Sequence, residues 1–161
     1  MSKAQTISTT ASDPTVAAAA AQFLSPVVLG LQALTINGKQ AHWHVRGANF
    51  IGVHELLDTI VAHAGDFADT AAERIVALGL PIDARVAAVA AKTPQTPVPA
   101  GFAQSDEIIR AIVADIDAIL VDTKAAIDGL DEIDLTSQDV AIEIMRGLEK
   151  DRWFLVAHVA A

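Results

Sequence analysis

Side chains that can bind metal ions recur at regular spacing in the middle of the chain: His54, Asp58, Asp69 and Glu73. The successive intervals are 4, 11 and 4 residues, and 11 residues are close to three turns of an α-helix. On a helix these residues form one stripe, about 100° away from the apolar stripe that faces a core. Imidazole and carboxylate ligands together suit Fe(II), Mn(II) or Zn(II) and differ from a soft copper site.

The two halves of this stripe are too far apart within one chain to share an ion. Asp69 follows His54 by 15 residues, which is roughly 22 Å along a helix, whereas metal–ligand bonds measure roughly 2.0–2.6 Å. The positions are palindromic, however, about a point between residues 63 and 64. A two-fold axis there places His54 and Asp58 of one subunit against Glu73 and Asp69 of another. The spacing therefore predicts two identical metal sites between two subunits.

Each member of the stripe, taken alone, is also explained by an ordinary solvated helix surface. A solvated surface requires neither mirror symmetry nor the small residues Ala62 and Gly65, which stand at the predicted crossing. His42, near the end of the preceding helix, adds another imidazole. None of the six glutamates has a His three residues later, so the Glu-x-x-His motif of intrachain di-iron bundles is missing.

The composition favours long helices as the elements that position these residues. The chain has 161 residues, is 52% hydrophobic and rich in Ala, and contains no Cys. One helical domain is expected, without disulfides, thiolate catalysis or Cys-ligated metals. The predicted helices are Pro14 to about Val45, Phe50–Leu78, a short helix at Asp83–Ala91, Ser105 to about Ile127, and Ser137–Val159. The pattern predicts an all-α chain, a four-helix bundle in layout, with a short extra helix between helices 2 and 3.

Turn-forming residues set the predicted boundaries. Asp13, Asn49 and Ser105 are expected to cap the first, second and third long helices, and Pro26 is expected to kink the first. The core stripe of the second long helix is predicted to be Val53, Leu57, Ile60, Ala64, Phe67, Ala71, Ile75 and Leu78. Residues 1–12 are predicted to form a flexible tail, and residues 13–161 the helical domain.

Charge and hydropathy exclude several partners. The formal net charge is −9 and the cations are scattered, with no Lys or Arg after Arg152, so direct DNA binding and anionic membranes are disfavoured. Residues 16–36 are uncharged, but polar residues interrupt the run and no basic flank or signal peptide precedes it. A buried helix is expected there, and no membrane segment.

The segments KQAHWHVRGANFIGVHELLD (39–58) and DTAAERIVALG (69–79) resemble the motifs of the Dps family of mini-ferritins. The similarity extends to the helix layout and to Arg152-Trp153-Phe154. It implies a ferritin-like four-helix bundle assembled as a dodecamer that oxidises Fe(II), preferentially with hydrogen peroxide, between two-fold-related subunits. The cage stores the ferric mineral and protects a cytoplasm against oxidative stress. Fe(II) and peroxide are then its substrates, with zinc or manganese as competitors.

The resemblance assigns roles to individual residues. One subunit would supply His42, His54 and Asp58, and its partner Asp69 and Glu73. Trp43 matches a tryptophan that supplies an electron or quenches a radical beside this centre; core packing is the alternative. His44 is expected either to support the site or to lie on the surface, and His63 to be structural. The candidate pore through which iron enters is lined by Asp128, Asp131, Glu132, Asp134 and Asp139, or else these residues form an ordinary solvated turn.

Two other functions compete with this interpretation. The segment HELLD (54–58) resembles the HExxH motif of zinc proteases, with Asp in place of the second His. A metal-dependent hydrolase hosted on the same cage is therefore one alternative, although it leaves the palindrome unexplained. A purely structural cage is the other, and it predicts an assembled particle that binds no iron.

Overall fold

A computed structural model describes residues 13–160. The predicted tail, residues 1–12, lies outside these described residues, as does Ala161. In chain order the elements are α1 (Pro14–His44), β1 (Val45–Arg46), α2 (Phe50–Ala77), α3 (Val86–Lys92), β2 (Ala103–Gln104), α4 (Ser105–Leu130) and α5 (Leu135–Ala157). The four long helices form a bundle in which α1 and α5 each pack against α2 and α4. The predicted fold class is confirmed, including the short helix α3 between the second and third long helices.

The core consists of apolar residues that recur every three or four positions along the long helices. On α2, the predicted stripe is buried from Val53 to Leu78, with exposures of 0–1%. Phe67 is the exception, since it is only half-buried and packs against the edge of the core. A Cβ at Gly147 on α5 would overlap its ring, so a glycine is needed for α5 to approach α2 here.

The uncharged stretch at the start of the chain lies within α1. By length and composition alone, α1 could cross a membrane: an 18-residue stretch of it has a mean hydropathy of 1.5. Within the protein, 39% of that stretch is buried. Here α1 packs against α2 and α4, and Leu24, Leu31 and Leu34 are fully buried. The helix continues through Pro26. The apolar surface of α1 thus supplies one side of the bundle core.

Of the three predicted helix caps, Asp13 is confirmed, Asn49 has the expected position without a capping bond, and Ser105 is wrong. Asp13 caps α1 as expected, with its carboxylate accepting a 2.7 Å bond from the Thr15 N–H. Asn49 stands at the N-cap of α2 in a left-handed conformation, φ 58°, and its side chain makes no capping bond. Ser105 is the first residue of α4, and its hydroxyl donates to the Ala48 carbonyl at 2.6 Å. That bond ties the start of α4 to the turn before α2.

The parallel pair β1–β2 was not predicted from the sequence. Val45 pairs with Ala103, and Arg46 with Gln104, so the pair joins the end of α1 to the start of α4. Strands of two residues are too short to show the alternating pattern by which strands are recognised. The pair fixes the end of α1, which carries the candidate ligand His42 and its neighbours Trp43 and His44.

Candidate metal centre

The end of α1 and the first turns of α2 hold two histidines in a reciprocal arrangement. His42 Nδ1 donates to the His54 carbonyl oxygen at 2.8 Å, and His54 Nδ1 donates to the His42 carbonyl oxygen at 2.9 Å. The rings stack with centroids 3.6 Å apart and planes inclined by 21°. Because a carbonyl oxygen only accepts, both Nδ1 atoms carry hydrogen. Nε2 of each neutral ring is therefore the nitrogen that can bind a metal.

Asp58 follows His54 by one turn of α2 and lies beside both histidines. Its Oδ1 is 3.4 Å from His42 Nδ1 and 2.5 Å from Lys39 Nζ, and its side chain is 49% exposed. The hydrogen bond from Lys39 holds the pKa of the Asp58 carboxyl below its usual range. Desolvation opposes this effect, and positive charge at the neighbouring residues adds to it. Asp58 is thus an anionic oxygen donor at neutral pH.

Asp69 and Glu73 lie farther along α2 and are both exposed. The structure brings His42, His54 and Asp58 together, and it leaves Asp69 and Glu73 apart from them on the same helix. Within residues 13–160 of one chain, no group of three or more His, Cys, Asp or Glu converges closely enough to hold a metal ion. The chain therefore carries two separate sets of candidate ligands, neither of which is complete by itself.

Between these two sets, the same face of α2 carries small residues at its centre. Ala62 is exposed, and a Cβ added at Gly65 would meet no atom within 4 Å. The buried stripe of α2 lies about 100° away around the helix. The small residues at the centre of the palindrome consequently leave room for another backbone to approach closely.

Trp43 and His44 differ in their surroundings. Trp43 is 63% exposed, so core packing within its own chain is not its role. His44 Nδ1 donates to the Gln40 carbonyl at 2.8 Å, and its ring lies against Phe102 with centroids 5.4 Å apart. His44 thus belongs to the contact between α1 and the segment before α4, rather than to the pair of stacked histidines.

His63 has a buried acidic partner on α5 that the sequence analysis missed. His63 Nδ1 donates to Asp151, with both carboxylate oxygens at 3.0 Å, and Asp151 is only 2% exposed. Burial raises the pKa of Asp151, and the hydrogen bond from His63 opposes that effect. The pair ties α2 to α5, which agrees with a structural role for His63. The two residues are 88 positions apart, so no local pattern could have revealed them.

The predicted pore residues surround the turn between α4 and α5, where most of them are exposed: Asp128, Asp131, Glu132 and Asp139. Asp134 differs, because its carboxylate accepts hydrogen bonds from Arg74 at 2.7 Å and from Ser137 at 2.5 Å. Partial burial acts to raise the pKa of Asp134, but these bonds outweigh it and hold the pKa below its usual range. Asp134 therefore anchors the turn to α2, and α5 begins at Leu135, two residues before the predicted start at Ser137.

Comparison with known proteins identifies the family. Residues 30–161 match the ferritin-like domain family. A Dps from Microbacterium arborescens, determined in its high iron form, is 74% identical, with a TM-score of 0.92 over 94% of this chain and 99% of that chain. The DNA protection during starvation protein of Agrobacterium fabrum is 36% identical over 127 residues, 78% of either chain. That of Mycolicibacterium smegmatis is 36% identical over 126 residues, 75% of this chain and 66% of that one. The chain belongs to the Dps family of ferritin-like proteins.

Proposed function

We propose that this protein is an iron-sequestering mini-ferritin of the cytoplasm that oxidises Fe(II), preferentially with hydrogen peroxide, and protects against oxidative stress. Two-fold-related subunits of a dodecamer form the oxidation sites, and the cage stores the ferric mineral. The observation that carries the proposal is the pair of incomplete ligand sets on one open helix face. Asp58 and Asp69 are 11 residues apart, roughly 16 Å along α2, so only a second copy of the helix can unite the two sets.

The proposed ligands fit iron as a substrate. Three carboxylates and two imidazoles form a mixed oxygen and nitrogen set: His42, His54, Asp58, Asp69 and Glu73. Hard anionic oxygen donors favour Fe(III) over Fe(II), so the set makes oxidation easier as well as binding the ion. Zn(II) and Mn(II) suit the same donors and are the expected competitors. The 74% identical Dps in a high iron form supports iron as the metal.

Peroxide is a safe oxidant only when two Fe(II) ions share it. One electron from each ion breaks the O–O bond, and two protons complete two water molecules. A single Fe(II) would supply one electron and release hydroxyl radical with hydroxide. Trp43 is 63% exposed and adjoins His42, so we assign it as the electron donor that quenches a radical formed at the centre.

Iron is proposed to enter through the acidic turn between α4 and α5. The exposed carboxylates there are Asp128, Asp131, Glu132 and Asp139. Like charges around a narrow opening concentrate cations near it. Asp134, held by Arg74 and Ser137, would position this turn.

The function is tested by anaerobic loading with Fe(II) followed by substoichiometric hydrogen peroxide. We expect two Fe(II) oxidised per peroxide, a ferric product that elutes with the assembled protein, and far less trapped hydroxyl radical than from iron without protein. Measurements are the ferrous iron remaining, the iron profile on size exclusion, and a spin trap. An assembled particle that binds no iron would establish the structural cage instead, while chelator-sensitive turnover of amides or esters would support the hydrolase alternative.

Direct DNA binding is not part of the proposed function. A net charge of −9 per chain, repeated twelvefold in a dodecamer, repels the phosphate backbone. We expect no retardation of duplex DNA in a gel shift at about 0.15 M salt without magnesium. A parallel lane with added Mg²⁺ shows whether a bridging cation changes the result. Retardation in the magnesium-free lane at this salt concentration would contradict the prediction.

A further inference from the structure

Lys39 on α1 contacts the candidate metal centre directly. Its Nζ lies 2.5 Å from Asp58 Oδ1, the same oxygen that lies 3.4 Å from His42 Nδ1. The side chain of Lys39 is 38% exposed, so a path to solvent is available to it. The ammonium group therefore donates a hydrogen bond to an oxygen of a carboxylate that is proposed to bind iron.

An ammonium ion and a divalent metal compete for this oxygen. The proposed ligands carry three negative charges, from Asp58, Asp69 and Glu73, and the two imidazoles are neutral when they bind metal. Lys39 offsets one of these charges before any metal arrives. A metal ion beside Asp58 is then repelled by the ammonium group, because like charges a few ångströms apart repel each other.

We propose that Lys39 is a built-in competitor for the metal site: its ammonium group holds Asp58 until a divalent cation displaces it, and so it lowers the affinity of the site for Fe(II). This inference rests on the proposed function, since it takes Asp58 as a ligand. Weak binding suits a site that must pass its product on to a mineral, because a tightly held ion would block the next one.

The residue type fits an exchangeable contact. Lysine is a compact point charge on a flexible four-carbon chain, whereas arginine binds a carboxylate through two parallel hydrogen bonds and always stays charged. An exposed ion pair changes an equilibrium constant by up to about fivefold. Repulsion of the metal adds to that, so removing the ammonium group should tighten metal binding about three- to tenfold.

The test is an anaerobic calorimetric titration with Co(II), which keeps its oxidation state and shares the donor preferences of Fe(II). Four assembled proteins are compared: wild type, Lys39→Met, Lys39→Arg and Arg110→Met. Arg110→Met is the matched control, since it removes one positive charge from another exposed ion pair, with Asp106 at 2.6 Å. Size exclusion checks that each variant assembles like the wild type.

We expect the Kd for Co(II) to fall about three- to tenfold in Lys39→Met, to stay within about twofold of wild type in Arg110→Met, and to be unchanged or higher in Lys39→Arg. A Kd within about twofold of wild type, or higher, in Lys39→Met overturns the inference. Asp58→Asn combined with Glu73→Gln separates the two proposals. If that variant loses Co(II) binding while Lys39→Met does not change it, only the role of Lys39 fails; if it keeps wild-type binding, the proposed metal site itself fails.

Discussion

We expect Asp58→Asn together with Glu73→Gln to lower the initial rate of peroxide-driven Fe(II) oxidation by at least about 100-fold. Losing even a residue that supports a metal ligand typically costs 10- to 100-fold, and this variant removes two of the proposed anionic ligands from every proposed site. The amides keep the shape of the side chains, and both residues are exposed, so the fold should be retained. What disappears is the negative charge that favours Fe(III). Stopped-flow absorbance of the ferric product measures the rate.

The matched control is Glu55→Gln combined with Asp66→Asn. These residues are also exposed on α2, and the pair of substitutions removes the same number of carboxylates of the same types. Neither residue belongs to the palindrome, so we expect rates within about twofold of wild type, as is usual for exposed substitutions away from a site. Glu55 is also the residue that a hydrolase of the HExxH type would need. Equal rates in the wild type and the ligand variant would remove the assignment of Asp58 and Glu73.

The sequence predicted the parts of the molecule that depend on local periodicity. The buried stripe of α2 follows from apolar residues at every third or fourth position, and apart from the half-buried Phe67 it is buried as expected from Val53 to Leu78. The stripe of His54, Asp58, Asp69 and Glu73 follows from the same helical geometry. Local rules failed at the starts of α2 and α4. Asn49 adopts a left-handed backbone conformation there without a side-chain capping bond, and the Ser105 hydroxyl donates to the Ala48 carbonyl instead of capping α4.

Contacts between distant residues could not be read from the sequence. The reciprocal bonds of His42 and His54 require a particular alignment of α1 against α2, which is set by the packing of the whole core. The pair of His63 with Asp151 depends in the same way on how α2 meets α5. Lys39 was visible in the first motif, but its contact with Asp58 depends on where α1 stands relative to α2. The palindrome is different, because its symmetry is contained in one helix and predicts a second copy.

That symmetry leads to a prediction about mixed assemblies. Asp58→Asn and Glu73→Gln, made in separate chains, should each reduce Fe(II) oxidation by about 10- to 100-fold. When the two variants are unfolded together and reassembled, activity should return to about a quarter of the wild-type value. Random pairing makes about half of all dimers mixed, and each mixed dimer has one intact site and one site with both substitutions. The initial rate of Fe(II) oxidation by peroxide, per reassembled chain, is the measurement.

A second mixture separates shared sites from sites within one chain. His54→Gln and Asp58→Asn alter proposed ligands that the same subunit would contribute, so a mixed dimer of these variants is expected to have one substitution at each site and no intact site. We expect this mixture to remain as slow as its components, while the mixture of Asp58→Asn with Glu73→Gln recovers. If every ligand of a site came from one chain, neither mixture would gain activity over the unmixed variants. The contrast between the mixtures thus depends on which subunit holds each ligand, and the overall stability of the cage does not produce it.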